Sequence, residues 1–253
     1  MKTCVLASGS KGNCTYVETE KLKFLVDAGP SSAYIERSLK EIGVKPSSID
    51  SIFITHTHVD HIGGLRVFLK KYKPTVYLTE KMMQDIDFGI DNYFYLNRPI
   101  VLEDLKVIPI KTSHDTSDSQ GFVFVSGDKS IVHITDTGYI HVKNFEKLSN
   151  RNLYIFESNH DIRMLREGKY PYHLQQRILS DKGHLSNKDS AYYLSKFVGD
   201  NTKKIILIHL SEENNNPEIA LDTLFDTFNS HKKKIPEVIV AKQKEVTELI
   251  EIW

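Results

Sequence analysis

Cysteine is scarce in this chain, with only Cys4 and Cys14 among 253 residues. Two thiols do not make a disulfide framework, so both are expected to pack as small residues near the first strands. Long apolar runs are missing as well. No stretch approaches the roughly 18 residues that would suggest a membrane span, and the N-terminal MKTCVLASGS is too short in apolar residues for a signal-peptide core. A cytoplasmic protein with no membrane attachment is the expectation. Net charge is also absent, with 33 basic against 33 acidic residues. The totals therefore offer no long-range attraction to polyanions, and any basic surface has to be local. Repeats, low-complexity tracts and Pro/Gly/Ser linkers are lacking too, which leaves nowhere to divide the chain. One domain over residues 1–253 is expected, a size that a single α/β layer structure reaches.

What the chain does have is a series of short β-rich runs: KTCVLA, TYVET, KFLVD, SIFIT, TVYLT, LKVIPIKT, GFVFV, SIVHIT, NLYIFE, KKIILIHL and EVIVA. Helical patterns lie between some of them. SSAYIERSLKEIG starts on serine and ends at Gly43, IGGLRVFLKKY carries basic residues in its last turn, and SNKDSAYYLSKFVG also ends in glycine. Strands come both alternating with helices and in consecutive runs, so mixed sheets are expected.

The polar residues that close these runs are more telling. FLVD ends at Asp27, IFIT runs into His56, VIPIKTS into His114, SIVHIT into Asp136, and KKIILI into His209. Side chains at the carboxyl ends of neighbouring strands converge on one rim of a sheet, where open α/β proteins place their sites. One such histidine would mean little; five strand ends of this kind point to a common site. The densest stretch is THTHVDHIGG, residues 55–64. His56 and His58, two apart on extended chain, point the same way and can share an ion. Asp60 and His61 follow at the turn towards IGGLRVFLKKY, where Gly63 and Gly64 permit close backbone approach. Four ligands from one segment would complete a closed tetrahedral site, but they would leave the candidates at distant strand ends unexplained. Two ions use all seven of His56, His58, Asp60, His61, His114, Asp136 and His209.

HTHVDH resembles the HxHxDH signature of the metallo-β-lactamase superfamily, and FLVDAG, TSHD, ITDTG and LIHL follow in that family's order. The resemblance implies a four-layer αββα sandwich of two mixed β-sheets flanked by helices. It also implies that His56, His58 and His114 hold one metal, that Asp60, His61 and His209 hold a second, that Asp136 bridges them, and that Asp27 supports the ligand loop. Lactamases of this fold usually carry cysteine at the bridging position, and its diiron reductases usually carry glutamate where His58 stands. A paired-metal hydrolase remains. GSKGNCTYVET, SHDTSDSQGF, ITDTGY, FESNHDIRMLREGKYP, RILSDKGHLSN and LIHLSEENNN together resemble the YycJ (WalJ) group, which is linked to 5′→3′ exonuclease activity.

Residues 160–188 add a physical argument in the same direction. Arg163, Arg166, Lys169, Arg177, Lys182 and Lys188 outnumber Asp161, Glu167 and Asp181 there, with Tyr170 and Tyr172 interleaved. Cations and aromatic rings together suit a single nucleic-acid strand. Within the stretch, GHLSN is similar to the glycine-histidine-serine motif of RNase J relatives. Ser186 and Asp189 fit a capping box at the start of NKDSAYYLSKFVG, and a helix N-terminus also receives phosphate. His184, Ser186, Asn187 and His160 are therefore the expected substrate contacts. His133 is expected to be packed in its strand, and His141, His173 and His231 to lie on the surface or in loops.

The expected chemistry is phosphodiester hydrolysis, with Asp60, Asp136 and His184 in catalytic roles and a hydroxide held between two divalent ions as nucleophile. Imidazole and carboxylate ligands without thiolate suit zinc and tolerate manganese or iron. The expected substrate is nucleic acid, above all single-stranded or end-containing DNA. The alternative from another substrate class is a glyoxalase II-like thioesterase using the same ligands on a carbonyl.

Overall fold

Alternate residues along each strand face different apolar layers. In the computed structural model, which describes residues 1–252, Phe24 and Val26 join one buried cluster while Leu25 joins another. Ile155 likewise parts from Tyr154 and Phe156. Period-two alternation with both faces apolar means that each sheet is covered on both sides. Trp253, the last residue of the expected 1–253 domain, lies outside the described residues.

One sheet is built from β1 (Lys2–Ala7), β2 (Cys14–Glu18), β3 (Lys23–Val26), β4 (Ser51–Phe53), β5 (Thr75–Leu78) and β6 (Tyr93–Tyr95). The other takes β7 (Ile100–Leu102), β8 (Leu105–Lys111), β9 (Gln120–Ser126), β10 (Lys129–Ile134), β11 (Leu153–Glu157), β12 (Lys204–Ile208) and β13 (Glu237–Val240). The chain then returns with β14 (Ile250–Glu251) to the edge of the first sheet, beside β1. Both sheets are mixed: β1 to β3 and β7 to β10 pair antiparallel, whereas β3 to β6 and β10 to β13 pair parallel.

The central layer between the sheets is aromatic. Phe24, Phe53, Phe122 and Phe124 meet there with ring centroids 4.9 to 5.7 Å apart. Outside the first sheet, α1 (Ser32–Glu41) and, after the short α2 (Val59–Ile62), α3 (Leu65–Tyr72) bury Ile35, Leu39, Leu65 and Phe68. The chain continues through α4 (Glu80–Asp85), α5 (Phe145–Leu148), α6 (Ile162–Glu167) and α7 (Tyr172–Ile178). On the outer face of the second sheet, α8 (Asn187–Phe197) and α9 (Pro217–Ser230) bury Leu194, Phe197, Leu224 and Phe228. These are the four expected layers. Cys4 and Cys14 are free and buried beneath the helices of the first sheet, as expected of small packing residues. No helix among the described residues is long and apolar enough to cross a membrane.

Candidate metal centre

The parallel strands deliver their carboxyl ends to one rim, and the two sheets are tied together there. Gln120 at the start of β9 donates from its backbone N–H to the Thr55 carbonyl and from its side chain to the Ile54 carbonyl. Asp27, Asp136 and His209 each follow a strand with φ of +50° to +62°, the left-handed region that costs a side-chain-bearing residue energy. Hydrogen bonds hold each one there. Asp27 accepts from the Thr55 N–H and hydroxyl at 2.8 and 2.7 Å, Asp136 accepts from the Thr135 hydroxyl, and the His209 N–H donates to Ser8 Oγ at 2.7 Å. The ligand loop packs against the Asp27 turn so closely that a Cβ on Gly64 would lie 1.9 Å from the Pro30 carbonyl oxygen. Only glycine fits there.

His56, His58 and His114 form one compact group. Nδ1 of His58 lies 3.2 Å from Nε2 of His56 and 3.2 Å from Nε2 of His114. One ring nitrogen cannot serve two others well through a single in-plane lone pair or proton. A shared cation resolves this: two nitrogens held tetrahedrally at about 2.1 Å from an ion stand roughly 3.4 Å apart. His114 Nδ1 also faces the Gly183 carbonyl at 3.1 Å, which fixes its ring.

Asp136 spans from this trio to the other half of the site. Its Oδ1 lies 3.8 Å from His114 Nε2, and its Oδ2 lies 3.2 Å from His61 Nε2 and 3.0 Å from His209 Nδ1. Asp60 Oδ2 is 3.5 Å from His61 Nε2 and 3.9 Å from His209 Nε2. The second half is looser than the first, since the His61 and His209 rings are 6.0 Å apart. Asp27 stands behind it as expected, with Oδ2 2.7 Å from His61 Nδ1. All seven expected ligands are thus brought together, along with Asp27. The compact groupings differ from the expected split: among the described residues, His56, His61 and Asp136 cluster, and His209 clusters with Asp136, His184 and Glu157.

The two halves also differ in charge. Burial pushes His56 and His114 below the usual histidine range, with the neighbouring His61 adding to the effect on His56. Those rings are neutral and ready to ligate. Burial opposes charge at His61 and His209 too, but carboxylates outweigh it. Asp136 and Asp27 hold His61 well above its ordinary value, and Asp136 with Glu157 pushes His209 up to about 10. Asp136 responds in kind, held well below the carboxylate range by His209 and His61 in spite of its burial. Metal binding in this half has to displace those protons.

Glu157 was not expected, although its signal was present: the apolar run LYIF ends in it just as the other strands end in ligands. It is fully buried. Oε1 lies 2.7 Å from His184 Nδ1 and 3.4 Å from His209 Nδ1, while Oε2 accepts from the N–H groups of Thr137 and Leu185. Burial would raise its pKa, but His184 outweighs that and the carboxyl is held at about 2. Asn13 is a second addition, from the GSKGN loop. Its N–H donates to the Asp60 carbonyl, and its side-chain nitrogen lies 3.2 Å from Asp60 Oδ2 and 2.9 Å from His61 Nε2.

Above the rim is a cavity of about 280 Å³ whose wall includes His58, Asp60, His114, Asp136, His184 and His209. His184 is where a substrate contact was expected, but Ser186, Asn187 and His160 do not line the cavity. The Ser186 and Asn187 side chains are engaged internally, whereas His160 Nε2 is buried without a hydrogen-bond partner. Ser186 caps α8 by accepting from the Asp189 N–H, and Asn187 bonds Ser158 and Asn215. The His160 carbonyl accepts the Asn187 N–H, and His160 itself is 1% exposed. Two N–H groups at the α8 terminus, those of Asn187 and Asp189, are therefore bonded within the protein. The other histidines lie as expected: His133 is buried with Thr15 Oγ1 at 3.2 Å, and His141, His173 and His231 are exposed.

A four-layer αββα fold with this histidine and aspartate rim defines the class: the chain belongs to the metallo-β-lactamase superfamily, whose family model matches residues 7–142. Within that class, the chain is 42% identical over 232 residues to exodeoxyribonuclease WalJ of Streptococcus pneumoniae, covering 88% of this chain and 86% of that protein. It is 39% identical over 223 residues to exodeoxyribonuclease YycJ of Bacillus anthracis, covering 85% and 84%. Among solved structures, the metallo-β-lactamase fold protein YhfI of Bacillus subtilis superposes with a TM-score of 0.74 over 97% of this chain and 98% of that one, at 17% identity. This last likeness concerns the fold alone.

Proposed function

We propose that this protein is a metal-dependent exodeoxyribonuclease that hydrolyses DNA phosphodiesters from the 5′ end, with one domain over residues 1–253 carrying the activity in the cytoplasm. The observation that carries the reading is Asp136, whose two carboxylate oxygens face separate histidine groups beneath an open cavity. The names of the WalJ and YycJ relatives support the substrate. His56, His58 and His114 would hold one divalent ion and Asp60, His61 and His209 the other, with Asp136 between them. Zinc or manganese suits this ligand set. When bound, the ions supply an acidified water and Lewis-acid stabilisation of the phosphoryl oxygens.

The remaining work falls to the chain. Glu157 takes the Nδ1 side of His184, which orients the imidazole. His184 then donates a hydrogen bond or a proton to the phosphate or the departing oxygen, a contribution of roughly 10²- to 10³-fold in rate for one such donor. Asp27 and Thr55 keep His61 in place from behind. Metal-loaded protein incubated with 5′- and 3′-labelled single- and double-stranded DNA and RNA, and with an acyl thioester, tests the reading. Release of nucleotides from the 5′ end of DNA is expected. Thioester hydrolysis with every phosphodiester left intact would overturn it.

A further inference from the structure

Among the described residues, Arg177 is the one lysine or arginine on the wall of the metal-site cavity; the other ionisable groups there, His58, Asp60, His114, Asp115 and Asp136 among them, are carboxylates, histidines and a tyrosine. A polyanion entering such a pocket needs a fixed positive charge, and a guanidinium presents a fork that matches phosphate. Arg177 sits on α7, a helix that buries none of its side chains and contributes Leu174 and Ile178 to the same wall. Its Nε donates to Asp115 Oδ2, and its own side chain remains 57% exposed. Asp115 follows the ligand His114. Its Oδ1 is buried without a hydrogen-bond partner and lies 3.5 Å from His114 Nε2.

We propose that Arg177 is a substrate-phosphate contact of this site in addition to His184, kept on Asp115 in the free protein and transferred to a backbone phosphate when a DNA strand enters. The proposal rests on the nuclease reading and names how that site recognises its substrate. A half-exposed ion pair is weak enough to be exchanged for a phosphate. The exchange also gives the two partners opposite effects on binding: Arg177 attracts the strand and Asp115 competes with it.

The opposite signs are the test. Cleavage kinetics and fluorescence anisotropy are measured on metal-loaded protein with a single-stranded DNA oligonucleotide labelled at its 3′ end. Arg177→Ala should raise KM and Kd by roughly 10-fold or more, leave kcat within about threefold, and lower the slope of log Kd against log salt by about one. Asp115→Asn should do the reverse and lower Kd. If both variants weaken binding alike and the double variant is no worse than either, the pair only braces α7 and the proposal is wrong. It also fails if wild type cleaves DNA and Arg177→Ala keeps its KM, an outcome that leaves the nuclease reading standing. A wild type that neither binds nor cuts DNA overturns both.

Discussion

Glu157 Oε1 lies 2.7 Å from Nδ1 of His184, joining the end of the buried strand β11 to the cavity wall. The carboxylate has no exposure to solvent, and its second oxygen is occupied by two backbone N–H groups. It is therefore built to hold the His184 imidazole in one orientation, with His209 Nδ1 3.4 Å from the same oxygen. Glu157→Gln keeps the shape and removes the charge, and should lower kcat by roughly 10- to 100-fold with little change in KM. Steady-state kinetics on DNA checks this, and an unchanged kcat would show that His184 needs no such partner.

Asp27 predicts an effect on metal rather than on turnover. Its carboxylate meets His61 Nδ1 at 2.7 Å from the side away from the cavity. Asp27→Asn should weaken metal binding by roughly 10- to 100-fold without abolishing it. Competition with a chromophoric chelator measures this directly; equal affinities in the two proteins would remove Asp27 from the support of the site.

His133 and His160 make the fold sensitive to acid. Burial pushes His133 down to about 3 and His160 to about 4, from an ordinary 6.5. In the unfolded chain both take up protons below pH 6.5, whereas the folded chain keeps them neutral. The unfolded state therefore binds more protons, and stability present above 6.5 is lost as pH falls towards 4. The loss approaches about 1.4 kcal/mol per pH unit for each histidine. Urea unfolding at pH 7, 6 and 5 should show it, and His133→Gln should flatten part of the slope. Parallel pH dependence in the two proteins would contradict the assignment.

Much of this architecture is legible in the amino-acid order. Strands with two apolar faces, such as KFLV and YIFE, and helices with clear stops, such as that ending at Gly43, need no tertiary knowledge. His56, His114, Asp136 and His209 stand out because each closes an apolar run. Glu157 closes one too, but a lone glutamate after apolar residues reads as a solvated charge, and only the folded chain shows it shielded by Thr137, His184 and Leu185. Ser186 and Asn187, which lie off the cavity wall, show the converse. A helix N-cap with free N–H groups looks the same in sequence whether phosphate or the His160 carbonyl completes it. The edge strand Tyr93–Tyr95 is three exposed residues, too short for period-two patterning to register.

The most direct measurement of the central claim is the metal content of purified protein, read together with cleavage of 5′-labelled DNA in wild type and Asp136→Ala. Two ions per chain and activity in wild type, with both lost together in Asp136→Ala, is the predicted result. A single ion per chain in the active protein, or undiminished hydrolysis by Asp136→Ala, would contradict a paired-metal centre organised on that carboxylate.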